Sequence, residues 1–261
     1  MNKDDATSFS VQLIVINALI LREIQTRFGT SNIGYLWAIV EPLFVLIIFF
    51  LLYDLLGRTP PGGMELIPFL ATGVTAFYGF QNTIKRLEKS VDANQGLLLY
   101  PQVTPLDVMI ARGLLEASTF LVVFGLIIFG SWVFDLTPPI ESPLFLILIL
   151  IDLQILAFGL GCMFCIAFMM FPIIDRFMSP VWRVLMFLSG VFYTMDELPE
   201  MTQDWIALNP IAHAVDLLRG AYFASYTPEV ASLSYLLEWT CGSLFVGLML
   251  ERMFRHRKPN S

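Results

Sequence analysis

Residues 143–171 read PLFLILILIDLQILAFGLGCMFCIAFMMF, an apolar run interrupted by a single ionisable side chain, Asp152. A helix needs about 20 mainly apolar residues to cross the hydrocarbon core of a bilayer, and this stretch exceeds that. Working outward, comparable runs occupy 35–56, 66–84, 106–134, 177–195 and 233–251. Turn-forming residues separate them, as in Gly-Arg-Thr-Pro-Pro-Gly-Gly at 57–63 and around Pro138 and Pro139. The whole chain is 57% hydrophobic and 14% charged, whereas soluble domains are about 25% charged. Lipid is the solvent these residues fit. The expected fold is an all-α polytopic membrane protein with six transmembrane helices in a single domain spanning 1–261.

Cations orient such spans. With a cytoplasmic N-terminus, inside segments hold Lys3, Arg22, Arg27, Lys85, Arg86, Lys89, Arg112, Arg176, Arg183 and the tail cations, while outside segments hold only Arg58 and Arg219. Both termini are therefore expected in the cytoplasm. The N-terminus, Asn2-Lys3-Asp4-Asp5, lacks the basic and apolar regions of a signal peptide. A net charge of −7 argues against nucleic acid as a partner.

Three stretches depart from the hairpin pattern. Over 9–29, Leu13, Ile20, Leu21, Ile24 and Phe28 recur at helical spacing, with Arg22, Glu23, Thr26 and Arg27 on the other side. This reads as an amphipathic helix on the cytoplasmic interface; a poor first span is the alternative. Residues 85–105 form a charged cytoplasmic segment in which Lys85, Arg86, Glu88, Lys89 and Asp92 suit a short surface helix. Asn94 and Gly96 supply a stop. Exposed charges there contribute little to stability, so reversing Glu88 and Asp92 is expected to leave the fold intact. Residues 196–231 hold two short external amphipathic pieces, within 198–223, broken at Asn209-Pro210. Ile211, Val215, Leu218 and Tyr222 share a face, and Asp216 and Arg219 are spaced to pair. Re-entrant helices satisfy their own backbone better than a long loop.

Chemical motifs are sparse. No G-x-x-x-x-G-K-[ST] phosphate loop, H-E-x-x-H or G-x-S-x-G elbow occurs. The C-x-x-C of Cys162 and Cys165 lies in an apolar run with no second pair, which fits small buried thiols better than a metal or a disulfide. Gly159 and Gly161 suit close helix packing, and His213 reads as a surface residue. Ionisable groups near spans include Glu41, Asp54, Arg112, Glu116, Asp152, Arg183 and Glu238. Such groups need partners or a wet path. Arg112 and Glu116, four apart, read as a structural pair, and Asp152 fits either a pathway residue or a buried hydrogen bond. No catalytic constellation is found.

Three segments carry a resemblance: LREIQTRFGTSNIGYLWAIVEPL at 21–43, DANQGLLLYPQVTPLDVMIARGLLE at 92–116 and LNPIAHAVDLLRGAYF at 208–223. They resemble ABC-2-type permeases of polysaccharide export, and Glu41-Pro42 with the short tail resembles the capsular polysaccharide (KpsM-type) branch. The resemblance implies an inner-membrane permease subunit that works as two copies with two separate ATPase subunits. ATP and Mg²⁺ would bind the ATPases, and no cofactor or metal this chain. It further implies that 9–29 is the interface helix carrying Arg22, Glu23 and Arg27. Residues 86–98 would be the coupling helix, using Arg86, Glu88, Lys89, Asp92 and Asn94. The implied substrate is a lipid-linked capsular glycan, handed on to a periplasmic polysaccharide co-polymerase and outer-membrane export proteins. Tyr35, Trp37, Glu41, Phe80, Arg112, Asp152 and Tyr193 are candidates for its path. Alternatives are export of another lipid-linked glycan (O-antigen or teichoic acid) or a small solute, an intramembrane glycan-modifying enzyme, and a passive scaffold.

Overall fold

A computed structural model describes residues 3–28 and 33–255, with no strand among them. The side chains of Arg27, Tyr35, Trp37 and Glu41 lie outside the described residues. The helices are α1 (Lys3–Phe28), α2 (Ile33–Leu55), α3 (Leu66–Glu88), α4 (Pro105–Val133), α5 (Pro143–Met170), α6 (Ile173–Leu188), α7 (Glu200–Ile206), α8 (Pro210–Tyr222) and α9 (Leu233–Phe254). Of these, α4, α5 and α9 are long and apolar enough to cross a membrane, and α2 adds a shorter apolar stretch at Pro42–Leu55.

Local chemistry sets the helix ends. Thr104 and Asp107 form a reciprocal capping box before α4, with Pro105 opening its first turn. Asn209 accepts from Ile211 N–H at the start of α8, again with a proline following. Ser232 caps α9 by accepting from Tyr235 N–H. After α6, Gly190 takes the left-handed conformation (φ 67°) that closes many helices.

The core is built around α3 and α5. Every residue from Pro68 to Phe77 on α3 is buried, packed with Ile149, Leu153 and Leu156 of α5 and Leu218 and Tyr222 of α8. Because protein surrounds α3, its small and polar residues are tolerated: Thr72 bonds the Pro68 carbonyl at 2.8 Å, and Thr83 donates to Gln154 Oε1 at 2.7 Å. Between α5 and α9 the backbones nearly touch. A Cβ on Gly159 would lie 2.6 Å from Leu244 N and one on Gly247 2.5 Å from the Gly159 carbonyl oxygen, while Gly161 faces α3, where a Cβ would lie 2.7 Å from the Leu87 side chain. The outward faces carry Phe44, Ile47, Val122, Phe129, Ile147, Val184 and Phe245 exposed, an apolar surface too broad for water.

Three expected boundaries change. The helix expected over 177–195 runs from Ile173 to Leu188 and ends in a turn before a 3₁₀ turn at Met195–Glu197. The carbonyls of Val191 and Tyr193 accept from Arg219 instead of extending the helix. The helix expected over 86–98 is divided: α3 continues through Glu88, and Asp92–Asn94 forms a separate 3₁₀ turn. Asn94 Nδ2 donates to the Ser90 carbonyl at 2.9 Å, folding the chain back on itself. The amphipathic N-terminal helix starts at Lys3 rather than at residue 9.

Candidate functional site: a junction at the α1 end and a cavity beside it

The end of the bundle where α3 stops and α4 begins is stitched to α1 by polar contacts. Gln12 Nε2 donates to Asp107 Oδ1 at 2.6 Å, and Arg22 Nη1 donates to Asn94 Oδ1 at 2.7 Å. Glu23 pairs with Arg112 at 3.0 Å. Arg112 also donates to the Arg86 carbonyl, and Arg86 lies 3.7 Å from Glu116. The expected pairing of Arg112 with Glu116 is thus replaced: Arg112 crosses to α1, and Glu116 meets α3. Leu19 packs with Val108 and Ala111, supported by Leu97, Leu98 and Val103. The face of α1 turned to the bundle is therefore Gln12, Val15, Leu19, Arg22 and Glu23, while Leu13 and Leu21 of the expected apolar face are exposed.

This fixes the loop between α3 and α4 as a rigid projection. Asn94 is buried and Asp92 exposed, and at the tip Leu99 and Tyr100 are 84% and 64% exposed. Arg86 and Lys89 are solvent-facing. Glu88 is not: it is 6% exposed, contrary to the reading of a solvated charge.

Glu88 lines a cavity of about 420 Å³ between the ends of α3 and α6. Lys89 crosses its mouth to Asp175 at 3.8 Å. Glu88 lies beyond the apolar stretch 66–84, and burial pushes its pKa up to about 7, opposed by Lys89 and Lys85 and reinforced by Asp175. Trp182 of α6 forms the facing wall, its ring edge-on to Phe77 and Phe80 at 6.5 and 6.3 Å.

At the opposite end, α8 is buried. Arg219, fully enclosed, donates to the carbonyls of Tyr193 (2.6 Å) and Val191 (2.8 Å) and pairs with Asp216 at 3.1 Å. Asp216 accepts from Met195 N–H, and the guanidinium lies 4.0 Å over the Phe69 ring. Ile211, Val215, Leu218 and Tyr222 are all buried, as their spacing predicts. His213, expected at the surface, is 3% exposed. Its Nδ1 accepts from Ser232 N–H and its Nε2 donates to the Ala207 carbonyl, and burial lowers its pKa.

The other candidates fall in separate places. Phe80 is in the core. Asp152 accepts from Thr240 across α5 and α9 at 3.1 Å. Tyr193 donates its hydroxyl to the Phe187 carbonyl. Gln12, Gln81, Asp107 and Trp182 were not singled out from sequence; of these only Asp107 had a local signal, the Thr104-x-x-Asp cap.

An all-helical chain with bilayer-length helices and an apolar exterior is a multi-pass membrane protein. The family model described as "ABC-2 type transporter" matches residues 15–223. The chain belongs to the ABC-2 type transporter family. It is 36% identical to the polysialic acid transport protein KpsM of Escherichia coli over 94% of this chain and 95% of that one. Similarity to the capsule polysaccharide export inner-membrane protein CtrC of Neisseria meningitidis is 30% identity over 95% and 93%. For BexB of Haemophilus influenzae, with the same description, it is 28% over 97% of each.

Proposed function

We propose that this chain is the membrane-embedded permease subunit of an ABC exporter that moves lipid-linked capsular polysaccharide across the bacterial inner membrane. The observation that carries the reading is the near end-to-end similarity to permeases named for polysialic acid and capsule export. The chain is not itself an enzyme. It has no phosphate loop, so ATP and Mg²⁺ bind a partner ATPase. Two copies of the chain work with two ATPase subunits, and the glycan passes to periplasmic co-polymerase and outer-membrane export proteins.

In this reading α2 to α6 and α9 make six crossings with both termini in the cytoplasm, supported by the cation distribution. α6, at 16 residues, reaches only about 24 Å, and the turn after it completes the crossing. α1 lies on the inner interface, its polar anchors toward the bundle and Val11, Ile14 and Leu21 toward lipid. The loop between α3 and α4 is the coupling element. Its exposed Leu99 and Tyr100, more than the charges at 86–94, form the contact with the ATPase. α7 and α8 re-enter from the outer side as a cap.

Deleting the gene in an encapsulated strain is expected to remove surface capsule and accumulate polymer inside, with restoration by the wild-type chain. Export of an O-antigen instead, as named for a Klebsiella pneumoniae relative 25% identical over 79% of this chain, would appear as loss of lipopolysaccharide side chains with capsule intact.

A further inference from the structure

Of the three long apolar helices, α9 is the least covered: 22% of its apolar window is buried, against 44% in α4 and 50% in α5. Its inner face, Leu236, Thr240, Ser243, Gly247 and Glu251, is buried in the bundle. The opposite face carries Glu238, Cys241, Gly242, Phe245 and Met249, all exposed. These recur every three to four residues and so form one stripe.

Two features set this stripe apart from a plain lipid-facing surface. Glu238 makes no hydrogen bond or ion pair with any described residue. It lies on the second turn of α9, about 7 Å along the axis from Leu233. The 22 residues of the helix span about 33 Å, little more than the hydrocarbon core of about 30 Å. With α9 entering from the outside, the carboxylate therefore sits in the outer leaflet, turned away from the protein. An ionisable group in that position calls for a partner. One turn deeper, a Cβ built on Gly242 would meet nothing within 4 Å. No group of this chain fills that hollow, and small residues let a second helix approach backbone to backbone in a membrane.

Charge and shape together select the occupant. A second copy packing α9 on α9 by two-fold symmetry would match each surface with itself and bring carboxylate to carboxylate. The outer side of this chain offers only Arg58 and Arg219 as cations, and Arg219 is fully enclosed. A lipid ammonium headgroup would answer Glu238 at the surface but leave the hollow at Gly242 empty, and acyl chains bring no charge. A helix with a basic side chain satisfies both.

We infer that the outward face of α9 seats a membrane-spanning helix of another protein, which carries Lys or Arg in its outer half, pairs with Glu238 and crosses closest at Gly242. The inference rests on the proposed crossing direction of α9 and not on the identity of the exported polymer.

The test uses the full chain in cells that assemble the exporter. A photo-reactive phenylalanine analogue replaces Phe245, which is 69% exposed on the stripe, and the cross-linked peptide is sequenced by mass spectrometry. The expected adduct is with an apolar segment of another protein bearing Lys or Arg in its outer half. Glu238→Gln should lower its yield several-fold at unchanged membrane level, and Glu238→Lys combined with a carboxylate in place of the partner's base should restore it. Gly242→Leu, which fills the hollow and keeps the carboxylate, should also lower the yield, and it decides alone if Glu238→Gln fails to accumulate. An adduct with a second copy, with lipid alone or with a segment lacking a base overturns the inference, as does a yield that either variant leaves unchanged. The crossing direction is read separately. Ser234→Cys at the outer end of α9, with Cys241→Ser removing the exposed native thiol, should react with an impermeant thiol reagent only from outside; reaction only from the cytoplasmic side overturns the orientation instead.

Discussion

Burial makes Glu88 a titrating group near neutral pH. Its ordinary pKa of 4.5 rises to about 7 in the folded chain, so the native state keeps a proton that the unfolded state has lost between those values. Stability therefore falls as pH climbs through that window and levels off above it. Thermal unfolding of the detergent-solubilised protein should show a decline from about pH 5 to about pH 7.5 that is flatter in Glu88→Gln. Identical slopes would remove Glu88 from the account. Arg219 makes the opposite case, a buried cation with its acceptors in place. Arg219→Leu strands Asp216 and two carbonyls, and breaking a buried pair from one side costs about 3–5 kcal/mol. Loss of folded protein in the membrane is expected; a variant that melts within a degree of wild type would show that the pair is dispensable.

At the scale of elements, contacts between backbones decide which helices stay together. Gly159 of α5 lies against Ser243 and Leu244 of α9, so Gly159→Leu must push the two helices apart. Overpacking of this kind costs about 1–3 kcal/mol or more, and cysteine pairs placed across α5 and α9 should cross-link more slowly in the variant. The loop between α3 and α4 behaves differently. Leu99 and Tyr100 touch little within the chain, so Leu99→Asp with Tyr100→Asp should leave expression unchanged while ATP hydrolysis by the assembled exporter no longer drives export. Normal capsule in that double variant would move the coupling contact elsewhere. α1 is held by Gln12, Arg22 and Glu23, and Glu23→Lys, which sets a cation against Arg112, should loosen it and raise its protease sensitivity.

For the whole molecule, the arrangement of cations makes a topological forecast. A cysteine at Asp92 should react with an impermeant thiol reagent only from the cytoplasmic side, and one at Arg58 only from outside; the reverse pattern would invert the chain. Much of this architecture was legible along the sequence because bilayer length and apolar composition are properties of contiguous residues. The starts of α4 and α8 were equally readable, since a cap acts within a few residues, as did the shared face of Ile211, Val215, Leu218 and Tyr222. The central position of α3 was not: a helix walled by protein on all sides needs small and polar residues, which lower its apolar signal just where burial is deepest. His213 and Glu88 looked like surface residues for the same reason, because local polarity says nothing of what packs over it. Arg112 had a carboxylate one turn away at Glu116, yet met Glu23, many residues distant. Span lengths, charge asymmetry and helix caps were thus set by the sequence itself, through interactions between near neighbours in the chain. The partners of Arg112, the burial of Glu88 and the cavity facing Trp182 were decided only by tertiary structure, because each depends on helices brought together from remote segments.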